Sequence, residues 1–304
     1  MNSDNFNGKS ILVVGGGILG KSIVSKLIKL NIKKIGLVSR TMRKDDTAIS
    51  SDRFTFYQVD LSSSCIDTAL FNETWDVIVF TAGYWCGRNN YTKDFHANLD
   101  PLLYFIYNIK SHPKKFIFLS SSAVYRDIFL EDCILGQFPD NTYGSAKLYS
   151  ENLLKEFCDK RNVQLVIFRP FHISSDSEVF NPGRSHVLTD FVYKRLNGIP
   201  LPILNDFPEV YIPFLWVDDC ANVIIKSIFH YSKNNTFNLG PRYEHSLMDA
   251  ISIIDSLIFG SDYPLLLPRA SKYFMKSYKV FGEYDSTDLK SQINNIIKSQ
   301  NTPR

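Results

Sequence analysis

The chain of 304 residues has a formal net charge of +3, and 44% of its residues are hydrophobic. This length suits one large α/β domain, or such a domain with a smaller companion, and supplies enough apolar side chains for a sizeable core. The basic residues are scattered, apart from a short group at residues 40–44, which argues against a nucleic-acid-binding surface.

The cysteine and histidine spacings exclude two further classes of protein. The five cysteines and six histidines show neither the pairing of a disulfide framework nor the clustering of metal ligands. We therefore expect reduced thiols and no metal. The first ten residues are polar, and lysine, glycine or proline interrupts every apolar run before membrane-spanning length. These features predict a cytoplasmic protein without a membrane partner.

A glycine turn joins the first predicted strand, residues 10–14, to a predicted helix over residues 21–30. Its glycines match G-x-G-x-x-G, in which the first permits a tight turn, the second lets the backbone approach a pyrophosphate, and the third allows close packing. A plain strand-to-helix turn has the same appearance, but the βαβ context favours dinucleotide binding. The expected cofactor contacts here are Gly15, Gly17, Ile18, Leu19 and Gly20.

The second predicted strand, residues 34–38, ends in Ser39 and Arg40, where an NAD site normally has an acidic residue for the ribose 2′-hydroxyl. A guanidinium suits a 2′-phosphate instead, so Arg40, helped by Arg43 or Lys44, indicates NADP. The alternative is an ordinary solvated arginine, with NAD as the cofactor.

The next two predicted strands also end in residues suited to a cofactor. Residues 54–59 lead to Asp60 and Leu61, where the carboxylate could accept a hydrogen bond from adenine or cap the following turn. Residues 76–80 lead to a group of small residues that let the backbone pass close to a cofactor. That group is Thr81, Ala82 and Gly83.

A helix is predicted over residues 95–109, interrupted or restarted at Pro101. It contains Asn98. We expect this amide either to contact the cofactor or to satisfy nearby backbone groups.

The strand at residues 115–119 ends in Ser120, Ser121 and Ser122, at the sheet edge where ligands bind in open α/β folds. A helix over about residues 142–162 presents Tyr143 and Lys147 on one face, four positions apart. The ammonium is expected to lower the tyrosine pKa towards the range of an acid/base catalyst. A surface helix with one tyrosine and one lysine is the simpler alternative.

Strands and helices alternate as far as a strand at residues 164–168, which ends in Arg169 and Pro170. Residues 210–216 are predicted to return to the sheet, followed by a helix at 219–231. The pattern predicts an α/β fold with a doubly wound parallel Rossmann-type sheet.

Taken together, these motifs resemble the extended short-chain dehydrogenases/reductases that modify nucleotide sugars, over about residues 10–290. The resemblance rests on the glycine turn, Asp60-Leu61, residues 81–83, Ser120-Ser-Ser-Ala-Val-Tyr125, Tyr143-x-x-x-Lys147, Arg169-Pro170, Val217-Asp-Asp219 and Asn238-Leu-Gly240. It implies a cofactor domain of residues 1–170 plus about 210–240. A smaller substrate domain would comprise about 171–209 and 241–304.

The resemblance also implies roles for single residues. The family's catalytic serine or threonine lies four residues before the tyrosine of the Val-Tyr pair, which selects Ser121, with Ser122 as the fallback. Tyr143 would exchange a proton with the substrate, Lys147 would hold the nicotinamide ribose, and Pro170 would line the cofactor site.

The chain departs from the family pattern at several positions. Its glycine motif is one residue shorter than G-x-x-G-x-x-G, and His172 replaces the asparagine of Arg-Pro-x-Asn. The arginine that commonly grips the substrate diphosphate before Val-Asp-Asp is missing. Arg184, Arg242 and Arg269 could replace it, although each could equally be a surface arginine. The expected substrate contacts are Ser121, Ser122, Tyr143, His172, Arg184 and Arg242.

The resemblance leaves three functions open. Ser122-Ala123 stand where the family's 4,6-dehydratases carry Asp-Glu, which argues against a dehydratase. The first expectation is an NADPH-dependent 4-ketoreductase of a nucleotide-linked 4-keto-6-deoxyhexose, supplying a deoxysugar for surface polysaccharide. An NAD-dependent nucleotide-sugar 4-epimerase is second, and a non-catalytic NADP-sensing regulator is third. The family also implies a homodimer.

Overall fold

The computed structural model describes residues 8–41, 51–62, 69–84, 91–125, 139–183, 185–201, 210–230, 232–260, 269–270 and 286–301. The strands are β1 (Ser10–Val14), β2 (Lys34–Ser39), β3 (Phe54–Gln58), β4 (Val77–Phe80), β5 (Lys115–Leu119), β6 (Gln164–Pro170), β7 (Ile173–Ser174), β8 (Tyr211–Ile212), β9 (Leu215–Trp216), β10 (Asn235–Leu239), β11 (Tyr243–Ser246) and β12 (Arg269–Ala270). The helices are α1 (Ile18–Leu27), α2 (Ala69–Asn72), α3 (Tyr91–Asn108), α4 (Thr142–Asp159), α5 (Val187–Leu196), α6 (Val217–His230), α7 (Leu247–Phe259) and α8 (Leu289–Asn301), with a short 3-10 helix at Ser122–Val124.

Seven of these strands form the central sheet, in the order β10-β6-β5-β4-β1-β2-β3. The pairs β1–β2, β1–β4, β2–β3, β4–β5 and β5–β6 are all parallel. The order reverses at β1, so the carboxyl ends of β1 and β4 meet at the switch point where such sheets bind ligands. The predicted α/β class and doubly wound parallel sheet are confirmed.

The apolar strands explain why this sheet lies inside the molecule. Ile11 and Val13 on one face of β1, and Leu12 and Val14 on the other, are at most 1% exposed. A strand buried on both faces needs a continuous apolar run, and residues 10–14 supply one. Helices therefore cover both faces, and the polar site residues are left to the strand ends.

The chain divides into two compact units, Met1–Arg169 with Ala221–Phe237, and Pro170–Cys220 with Asn238–Arg304. The second unit contains a three-stranded sheet in the order β12-β11-β8 and a two-stranded sheet of β7 and β9. Its apolar core is formed by residues of α5, α7 and α8 together with Leu201 and the segment at 210–216.

The region at 210–216 differs from the prediction that it returns to the central sheet. It forms β8 and β9, which pair with β11 and β7 in the two small sheets, and β10 is the seventh central strand. Buried Ile212, Phe214 and Trp216 pack into the core of the second unit, which explains this placement. Residues 210–220 consequently belong to that unit rather than to the first.

Helix α3 also differs from the prediction, because it continues through Pro101. A proline inside a helix costs about 3 kcal/mol, since it removes a backbone donor and crowds the preceding turn. Leu102 and Phe105 follow it and are at most 1% exposed in the core. Their burial is of the size needed to offset that cost.

Candidate active site

The glycine turn after β1 allows unusually close packing at the switch point. A Cβ atom added to Gly15, whose φ is +120°, would lie 2.6 Å from the backbone nitrogen of Ala82. One added to Gly20 would lie 1.9 Å from the carbonyl oxygen of Gly15. Side chains at these positions would therefore push apart β1, α1 and the end of β4.

Gly17 has a different role, because a Cβ atom there would meet nothing within 4 Å. It is the N-cap of α1 and has no side chain to satisfy the first backbone N–H groups of that helix. Ile18 and Leu19 form the first turn, but the Leu19 side chain is buried, so only its backbone can meet a ligand. An exposed, uncapped helix N-terminus of this kind fits a cofactor pyrophosphate.

Arg40 lies exposed at the end of β2, as an interaction with a ribose phosphate requires. The neighbouring Ser39 hydroxyl donates to the carbonyl of Thr41 at 3.3 Å. A Cβ atom on Gly16 would lie 2.4 Å from the Ser39 Oγ, so this glycine admits Ser39 against the turn. Arg43 and Lys44 lie outside the described residues.

The ends of β3 and β4 carry the next predicted contacts. The exposed Asp60 accepts the N–H of Ser62 at 3.0 Å, which is the turn-capping alternative, and the Leu61 side chain is buried. The Thr81 hydroxyl is placed to donate to the carbonyls of Val14 and Gly15, at 3.2 and 3.1 Å. Thr81 therefore ties the end of β4 to the glycine turn.

The buried Asn98 clamps the segment after β4. Its Oδ1 accepts the N–H of Tyr84 at 2.9 Å, and its Nδ2 donates to the Tyr84 carbonyl at 2.7 Å. This is the second of the two roles expected for Asn98. By these bonds it fixes the backbone that follows Ala82 and Gly83.

Ser121 and Tyr143 come together at the carboxyl edge of the sheet, where the Ser121 hydroxyl is near enough to the phenol to affect its pKa. Ser121 is the N-cap of the short 3-10 helix, and its Oγ accepts the N–H of Ala123 at 3.1 Å. Tyr143 lies in the first turn of α4, which Asn141 caps by accepting the N–H of Gly144 at 2.8 Å. The fallback, Ser122, is 8% exposed.

Gly144 makes this approach possible, although the sequence prediction did not single it out. A Cβ atom on Gly144 would lie 1.9 Å from the carbonyl oxygen of Ala123. The start of α4 therefore packs directly on the 3-10 helix that Ser121 caps. The available signal was a glycine, a poor helix former, directly after the tyrosine in a predicted helix.

Lys147 lies one turn further along α4 and is 2% exposed. Its Nζ donates to the carbonyls of Leu119 and Ala82 at 3.1 and 3.4 Å. A Cβ atom on Gly83 would lie 2.9 Å from this Nζ, so the glycine leaves room for the ammonium. Burial lowers the pKa of Lys147 to about 8, and the Glu151 carboxylate opposes that shift.

The expectation that Lys147 lowers the pKa of Tyr143 is wrong for this arrangement. Burial raises the pKa of Tyr143 above its usual value of about 10, and the Ser121 hydroxyl only partly opposes it. The Lys147 Nζ lies 5.8 Å from the centre of the tyrosine ring and is directed to backbone carbonyls. Tyr143 is therefore neutral at physiological pH and able to donate a proton.

The end of β6 lies beside the end of β5, since the N–H of Ser120 donates to the Phe168 carbonyl at 2.7 Å. Pro170 ends β6 at this edge. In the second unit, burial, with repulsion from His186, lowers the pKa of His172 to about 4. The buried Nε2 of His172 has no hydrogen-bond partner in the described part of the chain.

The structure describes only some of the arginines that were predicted to bind the substrate diphosphate. Arg242 is exposed, with its guanidinium 5.7 Å from the centre of the Tyr243 ring. Arg269 belongs to β12 through its backbone, and Arg184 lies outside the described residues. The choice of arginine stays a prediction.

Among the described residues, no three His, Cys, Asp or Glu side chains gather as metal ligands. None of the helices in the described ranges has the length and apolar content needed to cross a bilayer.

Two solved structures share the fold of this chain. The Bordetella bronchiseptica enzyme WbmF in complex with NAD+ and UDP is 20% identical, with a TM-score of 0.75 covering 98% of this chain and 93% of that one. UDP-glucuronic acid 4-epimerase from Bacillus cereus in complex with NAD is 20% identical, with a TM-score of 0.79 covering 96% and 100%. At these identities the likeness concerns the fold.

Curated relatives match at similar distances. The bifunctional polymyxin resistance protein ArnA of Wigglesworthia glossinidia brevipalpis is 25% identical over 317 residues, covering 96% of this chain and 48% of ArnA. UDP-glucuronic acid decarboxylase 1 of Danio rerio is 24% identical over 132 residues, covering 43% of this chain and 31% of that protein. The chain thus spans about half the length of the first and about a third of the second.

A family sequence model identifies the family to which the chain belongs. The model of the NAD dependent epimerase/dehydratase family matches residues 11–240, which include the glycine turn, the Ser121–Tyr143 pair and Lys147. This match extends over most of the chain and confirms the resemblance to the extended short-chain dehydrogenases/reductases. The chain therefore belongs to the NAD-dependent epimerase/dehydratase family of enzymes.

Proposed function

We propose that the protein interconverts an alcohol and a ketone at C4 of a nucleotide-linked sugar, in the cytoplasm. The proximity of Ser121 to Tyr143, with Lys147 one turn along the same helix, carries this proposal. It supports the proposal because an acid/base hydroxyl, a second hydroxyl and a cation would then act together at the edge of the sheet where ligands bind. A regulator that only senses NADP has no need of the three together.

In the proposed reaction, bound NAD(P) supplies the hydride acceptor or donor. Neutral Tyr143 would donate its proton to the ketone oxygen as C4 takes up hydride, and the phenolate that this leaves would take the proton of the C4 hydroxyl in the opposite direction. Ser121 donates a hydrogen bond to that oxygen and orients it. Lys147, whose Nζ is directed to the Leu119 and Ala82 carbonyls, would hold the nicotinamide ribose hydroxyls.

The favoured form of this reaction is 4-epimerisation of a UDP-linked sugar with NAD. The likeness to the B. cereus UDP-glucuronic acid 4-epimerase and to WbmF with NAD+ and UDP supports it. An epimerase removes hydride from one face of C4 and returns it to the other face of the ketone. The cofactor is therefore regenerated within each cycle.

Arg40 favours a second form, the NADPH-dependent reduction of a 4-keto-6-deoxyhexose for surface polysaccharide. The exposed guanidinium at the end of β2 stands where NAD-specific sites have a carboxylate. It is suited to a ribose 2′-phosphate. Net reduction would consume one NADPH per alcohol formed.

One set of assays separates the two forms. The purified protein is incubated with UDP-glucose, UDP-glucuronic acid and UDP-linked or dTDP-linked 4-keto-6-deoxyhexoses, with NAD or NADPH, and the products are identified by NMR. Inversion at C4 without net cofactor consumption indicates the epimerase, and stoichiometric NADPH oxidation indicates the reductase. If neither reaction occurs with any of these substrates, both forms of the proposal are contradicted.

We also propose that the protein forms a homodimer through α3 and α4. Leu103 and Tyr107 on α3 are 39% and 89% exposed, and Tyr149 on α4 is 54% exposed. Large apolar and aromatic side chains gathered on neighbouring helices are typical of a contact surface.

A further inference from the structure

A buried ion pair lies one helical turn beyond Lys147. Glu151 is 0% exposed and Arg169, on β6, is 4% exposed. The Arg169 Nε donates to Glu151 Oε1 at 2.9 Å, and its Nη2 donates to Oε2 at 2.6 Å. The two charges thus form a bidentate pair away from solvent.

The same ion pair also forms hydrogen bonds with two hydroxyl side chains next to Ser121 and its 3-10 helix. The Ser120 hydroxyl donates to Glu151 Oε1 at 2.5 Å, and the Arg169 Nη1 donates to the Tyr125 hydroxyl at 2.8 Å. Ser120 directly precedes Ser121, and Tyr125 directly follows the 3-10 helix that Ser121 caps. Both ends of the Ser121 segment are therefore attached to the pair.

Stability alone does not account for such an arrangement. Desolvating a carboxylate and a guanidinium costs several kcal/mol, and well-packed apolar residues often replace a buried pair without loss of stability. The geometry here joins α4, which carries Tyr143 and Lys147, to the ends of β5 and β6. A displacement of about 1 Å at a catalytic group can lower a rate about 100-fold.

We propose that Glu151 is a positioning residue, which fixes the Ser121 segment against α4 and supplies the negative charge that faces Lys147. This inference rests on the proposed catalytic roles of Ser121, Tyr143 and Lys147. Glu151 lies four residues after Lys147 on the same helix face, as Lys147 lies four residues after Tyr143.

The groups around Lys147 explain the electrostatic part of this role. Its own helix presents the Tyr143 phenol and the Glu151 carboxylate, and Arg169 of β6 lies behind Glu151. The neighbouring segments present neutral groups: the Leu119 and Ala82 carbonyls, and the Asn98 amide beside Gly83. Burial lowers the pKa of Lys147 to about 8, and Glu151 raises it against that effect. Removing the carboxylate charge would therefore let Lys147 lose its proton at a lower pH.

The test is the pH profile of kcat for Glu151→Gln, measured with the substrate and cofactor found in the assays above. We expect the alkaline limb to move to lower pH by about one unit, the size of effect that a neighbouring opposite charge produces. Glu151→Gln leaves Arg169 buried without its partner, so the double variant E151Q/R169Q, which retains no unpaired ion, is measured beside it. Glu151→Asp keeps the charge and should restore the limb towards the wild-type position.

Glu156→Gln is the matched control, because Glu156 lies on the same helix but is exposed and paired with Lys160. Its limb should coincide with that of the wild type. The inference would be overturned if the alkaline limb of the kcat profile stays at the wild-type pH in folded E151Q or E151Q/R169Q. It would also be overturned if the wild-type profile has no alkaline limb. If Tyr143→Phe is inactive while the limb of E151Q stays in place, only this inference fails. If Tyr143→Phe remains active, the proposed function fails.

Discussion

At the scale of single residues, the titration of Lys147 makes the first prediction. Its folded-state pKa of about 8 lies below the ordinary lysine value of 10.5, because the ammonium is buried. The group is charged below that pH and loses its proton as the pH rises through it. We therefore expect kcat to fall as the pH rises through about 8, measured over pH 6–10.

A matched variant assigns this limb to the lysine. Lys147→Arg keeps a charge throughout the range, so its residual activity should show no limb near pH 8. Lys155→Arg, at an exposed position of the same helix, should retain the wild-type profile. A limb near pH 8 that persists in Lys147→Arg would assign it to another group.

Arg40 carries the second prediction at this scale. Arg40→Asp removes the proposed 2′-phosphate partner and supplies a carboxylate for a ribose 2′-hydroxyl. Because hydrogen bonds to charged groups contribute roughly 1.5–3 kcal/mol, the ratio of NADPH to NADH affinity should fall by at least about tenfold. Calorimetric titration of both cofactors provides the measurement.

The control for Arg40→Asp is Lys33→Asp, which makes the same change of charge at an exposed position before β2. It should leave the affinity ratio unchanged. An unaltered ratio in Arg40→Asp would remove the argument for NADP.

At the scale of secondary structure, the contact between α4 and the 3-10 helix depends on Gly144. A Cβ atom there would meet backbone, the carbonyl of Ala123 at 1.9 Å, which cannot rotate away as a side chain could. We expect Gly144→Ala to destabilise the protein by about 1–3 kcal/mol in urea unfolding. It should also lower kcat by displacing Tyr143 from Ser121.

Asn152→Ala serves as the comparison, because Asn152 is exposed on the same helix. Its unfolding free energy should change by no more than about 0.5 kcal/mol. Wild-type stability and turnover in Gly144→Ala would contradict the close approach of the two helices.

The same scale shows what periodicity and spacing could predict. Patterns among neighbouring residues predict the alternation of strands and helices up to β6. They also predict the glycine turn after β1. The ion pair of Glu151 and Arg169 joins positions 18 residues apart in the sequence and depends on α4 lying against the end of β6. Sequence reasoning therefore named the Arg169-Pro170 motif without finding the partner of its arginine.

The pKa of Tyr143 illustrates the same limit. The spacing to Lys147 correctly placed both residues on one helix face, but the direction of the shift depends on burial and on where the ammonium points. Similarly, the apolar run at 210–216 fits any buried strand. Its pairing with β7 and β11 is decided by the core of the second unit.

At the scale of the whole molecule, the proposed dimer gives a prediction that is independent of catalysis. Tyr107 is 89% exposed on α3, so Tyr107→Glu places a charge on the proposed contact surface without disturbing the core. We expect the wild type to sediment as a dimer and Tyr107→Glu to sediment as a monomer, with similar thermal stability per chain.

Tyr243→Glu provides the control, because Tyr243 is 45% exposed and belongs to the second unit rather than to α3 or α4. Its sedimentation should match the wild type. A wild-type monomer at micromolar concentration would contradict the proposed dimer.

The fold and the family were both predictable at this scale, because local sequence patterns indicate the order of the strands and motifs. Epimerase and reductase remain separate proposals, since Ser121, Tyr143 and Lys147 serve both. The two proposals differ in the cofactor phosphate, for which Arg40 is the proposed partner, and in the substrate that the protein would accept.

The most direct test of the central claim is the turnover of Tyr143→Phe with the substrate identified by the product assays. Loss of the hydroxyl should lower kcat by about 100-fold to 10,000-fold, the contribution of a positioned acid/base group, while cofactor affinity is retained. Tyr149→Phe, which removes an exposed hydroxyl from the same helix, should remain fully active. Near-normal turnover by Tyr143→Phe would contradict the claim that this residue exchanges the proton.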